Sequence, residues 1–171
     1  MPGRSFLRLS LAIVASVSLS ACAEMRRDFL PKTHTVSTSP DGRSTAWVRQ
    51  GFSIDPPDDH LFLKGPDGRT HKLRDLAPDA DWCRTIIWTA DSARVGFLIT
   101  DNRLSIFDAR TREHLAEVTL VKIDGYPGSE AARNIAFTDS GRAVTFERTD
   151  RKTQRLLSRE TLTLPTGRPR V

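Results

Sequence analysis

The sequence predicts an all-β domain of three repeated antiparallel β-sheets. Three observations predict it. From about position 34, Gly, Pro, Asp and Asn punctuate the chain roughly every 8–12 residues, with short runs rich in Val, Ile, Thr, Phe and Trp between them. No amphipathic helical stretch longer than about three turns stands out. Finally, a unit recurs: residues 84–97 lie over 133–146 at a shift of 49 without a gap, and over 34–47 at a shift of 50. Arg84, Ile86, Thr89, Val95 and Phe97 thereby meet Arg133, Ile135, Thr138, Val144 and Phe146, and Trp88 meets Phe137. In the earliest copy Ser39 takes the place of Thr89, and Trp47 that of Phe97.

Each copy reads as a strand, a tight turn and a returning strand. The first turn is Ser39-Pro40-Asp41-Gly42. Pro presets φ near −65°, Asp bonds its own backbone, and Gly accepts a positive φ. Asp139-Ser140-Gly141 repeats that chemistry, and Ala90-Asp91-Ser92 is a version without Gly. After each turn comes an alternation ending in an aromatic: Thr45/Trp47, Val95/Phe97, Val144/Phe146. Period two puts these pairs on one face, which the sequence predicts to be buried in all three copies. Further strands follow each hairpin. Runs 60–63 and 70–73 flank the turn Gly65-Pro66-Asp67-Gly68, and runs 104–107 and 115–121 flank 108–112. The third unit offers only one more run, 155–164, before a tail rich in Pro, Gly and Arg.

The strings Thr38-Ser39-Pro40-Asp41-Gly42-Arg43, Trp88-Thr89-Ala90-Asp91-Ser92 and Phe137-Thr138-Asp139-Ser140-Gly141-Arg142 resemble the TolB-like, WD-type repeats of periplasmic β-propellers. The resemblance covers residues 34–164 and implies propeller blades. Closed propellers have ~4–8 blades, so three imply an incomplete ring. An open arc, two chains closing a six-bladed ring, and a β-sandwich or irregular barrel all remain open.

Residues 1–21 have the parts of a secretory leader: Arg4 and Arg8, an apolar core over 9–19, then the small residues Ser20 and Ala21. The apolar run is shorter than the ~20 residues of a bilayer-spanning helix. Leu19-Ser20-Ala21-Cys22 resembles the lipobox of bacterial lipoproteins. That resemblance implies cleavage before Cys22, acyl chains on Cys22, and a domain held at a membrane. Ala23, where Asp would favour retention in the inner membrane, implies the outer membrane, facing the periplasm. The domain plan is thus a signal peptide (1–21), a tether (22–33) compatible with a short helix over 24–29, a β-repeat domain (34–164) and a basic tail (165–171).

The chain has 26 Lys and Arg against 21 Asp and Glu. Its leader carries Arg4 and Arg8 and no acid, so 24 against 21 leaves +3 after cleavage. An exported chain of that charge meets anionic lipid or cell-wall polymer rather than nucleic acid. Arg148, Arg151, Lys152, Arg155, Arg159, Arg168 and Arg170 face only Asp150 and Glu160 in sequence and form the region suited to such a contact. With Cys22 lipidated, Cys83 has no partner for an internal disulfide. It reads as a buried, inert thiol, the alternative being a reactive or intermolecular one.

Candidate chemistry is sparse. His34, His60, His71 and His114 are scattered, without the i, i+4 spacing of a zinc helix. Asp58, Asp59 and His60, after Asp55-Pro56-Pro57, are the densest set of ligand types and would suit a hard cation such as Ca²⁺; a solvated loop is the plainer reading. Ser53 lacks the second Gly of a nucleophile elbow. No cofactor and no catalytic residue are expected. The functional expectation is a lipid-anchored periplasmic binding or scaffold module with an envelope protein as partner. The alternative is a small envelope enzyme, or a carbohydrate- or metal-binding domain, using the loop 55–60; a purely structural lipoprotein is the third.

Overall fold

The computed structural model describes residues 32–51, 58–77, 81–122 and 128–165. The leader 1–21, Cys22, the tether up to residue 31, Ser53, Asp55 and the tail from 166 lie outside the described residues.

Among the described residues eleven strands form three antiparallel sheets, and within each sheet every strand is hydrogen-bonded to the next in sequence. The first sheet holds β1 (Thr33–Thr38), β2 (Thr45–Gln50), β3 (Asp59–Lys64) and β4 (Thr70–Asp75). The second holds β5 (Cys83–Trp88), β6 (Arg94–Ile99), β7 (Arg103–Asp108) and β8 (His114–Thr119). The third holds β9 (Glu130–Thr138), β10 (Ala143–Asp150) and β11 (Leu156–Thr163). It is one strand short of its neighbours, as the lone run 155–164 predicts.

The repeat is visible atom by atom in the turns. Ser39 N–H donates to the Ser44 carbonyl and Gly42 N–H to the Ser39 carbonyl; Thr89 and Ser92 make the same two bonds to Arg94 and Thr89. The Asp41 carboxylate accepts the Arg43 N–H, and Asp91 accepts that of Ala93, each at 3.0 Å. Gly42 sits at φ +72° and Ser92 at φ +61°, so a serine fills the glycine's left-handed place. The third turn differs: Asp139–Gly141 is a 3₁₀ turn with both Ser140 and Gly141 at positive φ.

The sheets stack in chain order, and their first strands lie side by side, β1 against β5 and β5 against β9. Two apolar layers hold the stack. Ala46, Val48, Leu61 and Leu63 of the first sheet pack with Val95, Phe97, Ile99 and Phe107 of the second. Leu98, Leu104, Ile106 and Ala116 of the second pack with Ala132, Ile135, Val144 and Phe146 of the third. The second sheet is therefore buried on both faces. Its β6 reads as a near-continuous apolar run because alternate side chains serve different layers. Gly96 belongs to this economy: a Cβ there would stand 3.2 Å from the Phe137 ring and 3.0 Å from Leu104.

One expectation is corrected. Val95/Phe97 and Val144/Phe146 share a buried face, but Thr45 and Trp47 remain part-exposed. The period is right and the side is equivalent. The first sheet has no described sheet before it, so that side is uncovered among the described residues.

Candidate functional site

The uncovered side of the first sheet carries the most exposed large apolar side chain among the described residues. Cross-strand register places Val36, Trp47, Phe62 and Lys72 in one row over β1 to β4. The Trp47 and Phe62 rings stack, with centroids 5.5 Å apart and planes 8° off parallel. His60 meets Phe62 edge-on at 6.4 Å. Val36 is 61% exposed, the largest value among the described large apolar side chains. Each such side chain brought out of water is worth about 1.5–3 kcal/mol, so the row holds unspent apolar surface. Its rim is mainly cationic, with Arg49, Lys64 and Lys72 exposed. Asp75 is drawn to Lys72 and His60, at 3.0 and 2.6 Å. The hydrogen bond from Lys72 holds the Asp75 carboxyl below the usual carboxylate range, against a burial effect that raises it.

The opposite end of the stack is built otherwise. On the uncovered side of the third sheet, Thr145 and Glu147 stand where Ala46/Val48 and Gly96/Leu98 stand in the other units. Asn134 donates to Glu147 at 2.6 Å and Arg159 at 2.9 Å, and these bonds hold the Glu147 carboxyl low. A depression of about 290 Å³ lies here, lined by Asn134, Thr145, Phe146, Glu147, Arg159 and Thr161 among others.

The predicted ligand group does not converge. His60 lies 3.6 Å from Asp58 and 2.6 Å from Asp75, on the uncovered side. Asp59, one residue before it in β3, turns to the other face and pairs with His34 at 3.0 Å. Alternation along a strand forbids the three from meeting. Among the described residues no three His, Cys, Asp or Glu side chains are grouped to hold a metal ion. No described helix is long and apolar enough to cross a membrane. Cys83 is fully buried, and burial pushes its thiol up to about 12. Such a thiol is protonated and unreactive at neutral pH.

The basic region is largely engaged within the domain. Arg148 bonds Glu130 and Glu160, Arg159 bonds Glu147, and Arg151 reaches Asp101 and the Thr100 carbonyl. Lys152 and Arg155 are exposed, and Arg168 and Arg170 lie outside the described residues.

The turns form an aligned row. Asp41 N–H donates to Ser92 Oγ at 3.1 Å, and Arg94 donates to the Gly141 carbonyl at 2.7 Å. Asp41, Gly42, Asp91, Ser92, Ser140 and Gly141 thus lie at one end of the stack, where Asp41, Ser92 and Gly141 pin sheet to sheet. At the other end, sequence reasoning missed Thr100-Asp101-Asn102. Thr100 and Asp101 both adopt positive φ, at 52° and 59°. Asp101 accepts from Arg133 at 3.0 Å and Arg151 at 3.2 Å, and Ala132 N–H reaches its carbonyl. Asn102 takes the backbone N–H of Leu120 on its carbonyl. The available signal was polar Thr-Asp-Asn between two apolar runs; Thr100 and Asp101 are the central residues of the hairpin turn, and Asn102 N–H closes it on the Ile99 carbonyl. Arg74 and Arg103 form a third link, both bonding Glu117. Burial pushes Glu117 up, but the bond and charge of Arg74 and the charge of Arg103 outweigh it and hold the carboxyl low.

No family model matches the chain, and no curated protein sequence matches it. Among solved structures the chain is similar to the β-propeller domain of Cps50 (Swd1) from Myceliophteria thermophila, at 20% identity and a TM-score of 0.45. That match covers 78% of this chain and 39% of the other. It is also similar to an uncomplexed acylaminoacyl peptidase of Pyrococcus horikoshii, at 10% identity and a TM-score of 0.46, covering 78% and 25%. The chain spans well under half the length of either structure. The fold itself is all-β: open antiparallel sheets of four, four and three strands, set beside one another like blades.

Proposed function

We propose that this chain is a lipid-anchored module of the bacterial cell envelope that works by binding protein, and that the uncovered side of its first sheet is the docking face. The carrying observation is the row of exposed Val36 with part-exposed Trp47 and Phe62, since Phe97 and Phe146, the equivalents of Trp47, are buried beneath a neighbouring sheet. Aromatic side chains on a rigid sheet, rimmed by charge, have the make-up of an interface core. The lipobox Leu19-Ser20-Ala21-Cys22 supports the address, with the outer membrane facing the periplasm as the site. Lys152, Arg155, Arg168 and Arg170 are the residues left to touch anionic lipid or wall polymer.

Two measurements test this. A photo-crosslinking residue at Val36 is expected to give a discrete adduct in whole envelopes, and one at Thr153, in an exposed turn, none. Equal labelling from both positions would sink the docking face. Mass spectrometry is expected to find acyl chains on Cys22, and Cys22→Ser is expected to release the protein from the membrane fraction. An unmodified Cys22 would remove the anchor.

A further inference from the structure

The repeat itself says what kind of surface covers the exposed row. Phe97 is buried against Ala46, Val48, Leu61 and Leu63 of the sheet before it, and Phe146 against Leu98, Leu104 and Ile106. Each aromatic face is thus covered by the far side of a preceding sheet. Trp47 is the same residue of the first unit, so its equivalent cover is the far side of another sheet of this kind. This chain has one such side uncovered among its described residues, on the third sheet. Carrying the repeat forward by one unit sets Trp47 of another copy over Thr145 and Glu147. The 290 Å³ depression lies at those residues.

The departures from the repeat on the two uncovered sides match one another. Within the chain, Val48 of the first sheet and Ile99 of the second share an apolar cluster. The equivalent of Ile99 in the first unit is Arg49, and the equivalent of Val48 in the third is Glu147. An apolar pair inside the chain becomes a cation on one uncovered side and an anion on the other. Both are polar where solvent reaches them in a single copy, and they are opposite in sign where two copies would meet.

We infer that the partner on this face is a second copy of the chain, its first sheet docked on the third sheet of this one, and that the same contact made twice about a two-fold axis closes six sheets into a ring. A head-to-tail contact closes when its rotation divides the circle, and six sheets lie within the range of closed propellers, ~4–8. The inference rests on the docking face proposed above and names its occupant.

The test uses the full chain in detergent micelles. Arg49→Cys with Glu147→Cys in one chain, treated with a bis-maleimide that spans one sheet spacing of ~10 Å, is expected to give a covalent dimer on a denaturing gel, and neither single variant one. Within one copy the second sheet lies between the two positions, so they are two sheet spacings of ~10 Å apart and out of the reagent's reach. With Cys22 acylated and Cys83 buried, both native cysteines are a silent background, which wild-type chain treated in the same way checks. Wild-type chain is expected to sediment as a dimer. Arg49→Glu is expected to raise its dissociation constant about tenfold, and adding Glu147→Arg to restore it. Dimers from Arg49→Cys alone, a ladder of higher species, or a monomeric wild type would each overturn the inference. A monomeric wild type whose Val36 adduct is a different protein would leave the docking face standing and remove only the second copy.

Discussion

Ser92 shows how one side chain serves two demands. Its φ of +61° is costly for any residue with a Cβ, yet its hydroxyl accepts the Asp41 N–H of the neighbouring turn. Ser92→Ala keeps the unfavourable backbone and deletes the bond, and is expected to cost about 1 kcal/mol. Ser92→Gly deletes the same bond but relieves left-handed strain of similar size, ~1 kcal/mol, and is expected to be nearly neutral. Urea midpoints of the two variants check the order. Cys83 makes a pH-dependent claim. Its thiol rises from 9.0 to about 12 on folding, so the folded state holds the proton longer. The contribution is complete below 9 and is lost as pH climbs toward 12. The urea midpoint is expected to fall across that window, less steeply in Cys83→Ala. An alkylating reagent at pH 8 is expected to leave Cys83 untouched until urea unfolds the chain.

Among the elements, the turn between β6 and β7 joins the second sheet to the third. Asp101 is mostly buried and carries Arg133 and Arg151 at once. Arg133 and Arg151 keep some contact with solvent, so Asp101→Ala deletes charge-assisted hydrogen bonds without fully burying a lone charge, and is expected to cost about 2 kcal/mol. Lys72→Ala, which breaks the exposed pair with Asp75, is expected to cost less than ~1 kcal/mol. Chemical denaturation of both variants separates the two cases. The sequence shows the first kind of turn and hides the second. Pro40, Asp41 and Gly42 announce their geometry by residue type, and the equal bonding at Thr89 to Arg94 follows from the repeat. Thr100 and Asp101 reach positive φ without Gly or Pro, held there by arginines from fifty and thirty residues further on. Their role is a property of the assembled stack and leaves little trace in local composition.

For the molecule as a whole, a similar division holds. Spacing of 49 and 50 residues was enough to place three sheets and to see that the last lacks a strand. Alternation was enough to put Trp47 on the side shared with Phe97 and Phe146. It could not tell that two of these sides are covered and one is not, because cover comes from a neighbour rather than from the strand. The Asp58-Asp59-His60 reading met the same limit: proximity in sequence scattered across two faces. The middle sheet carries a further consequence, for the order in which the chain is made. Ala46, Val48, Leu61 and Leu63 emerge before Phe97 and Phe107 exist to shield them. A growing or threading polypeptide therefore displays a bare aliphatic ribbon, one a chaperone would need to guard until the next hairpin arrives.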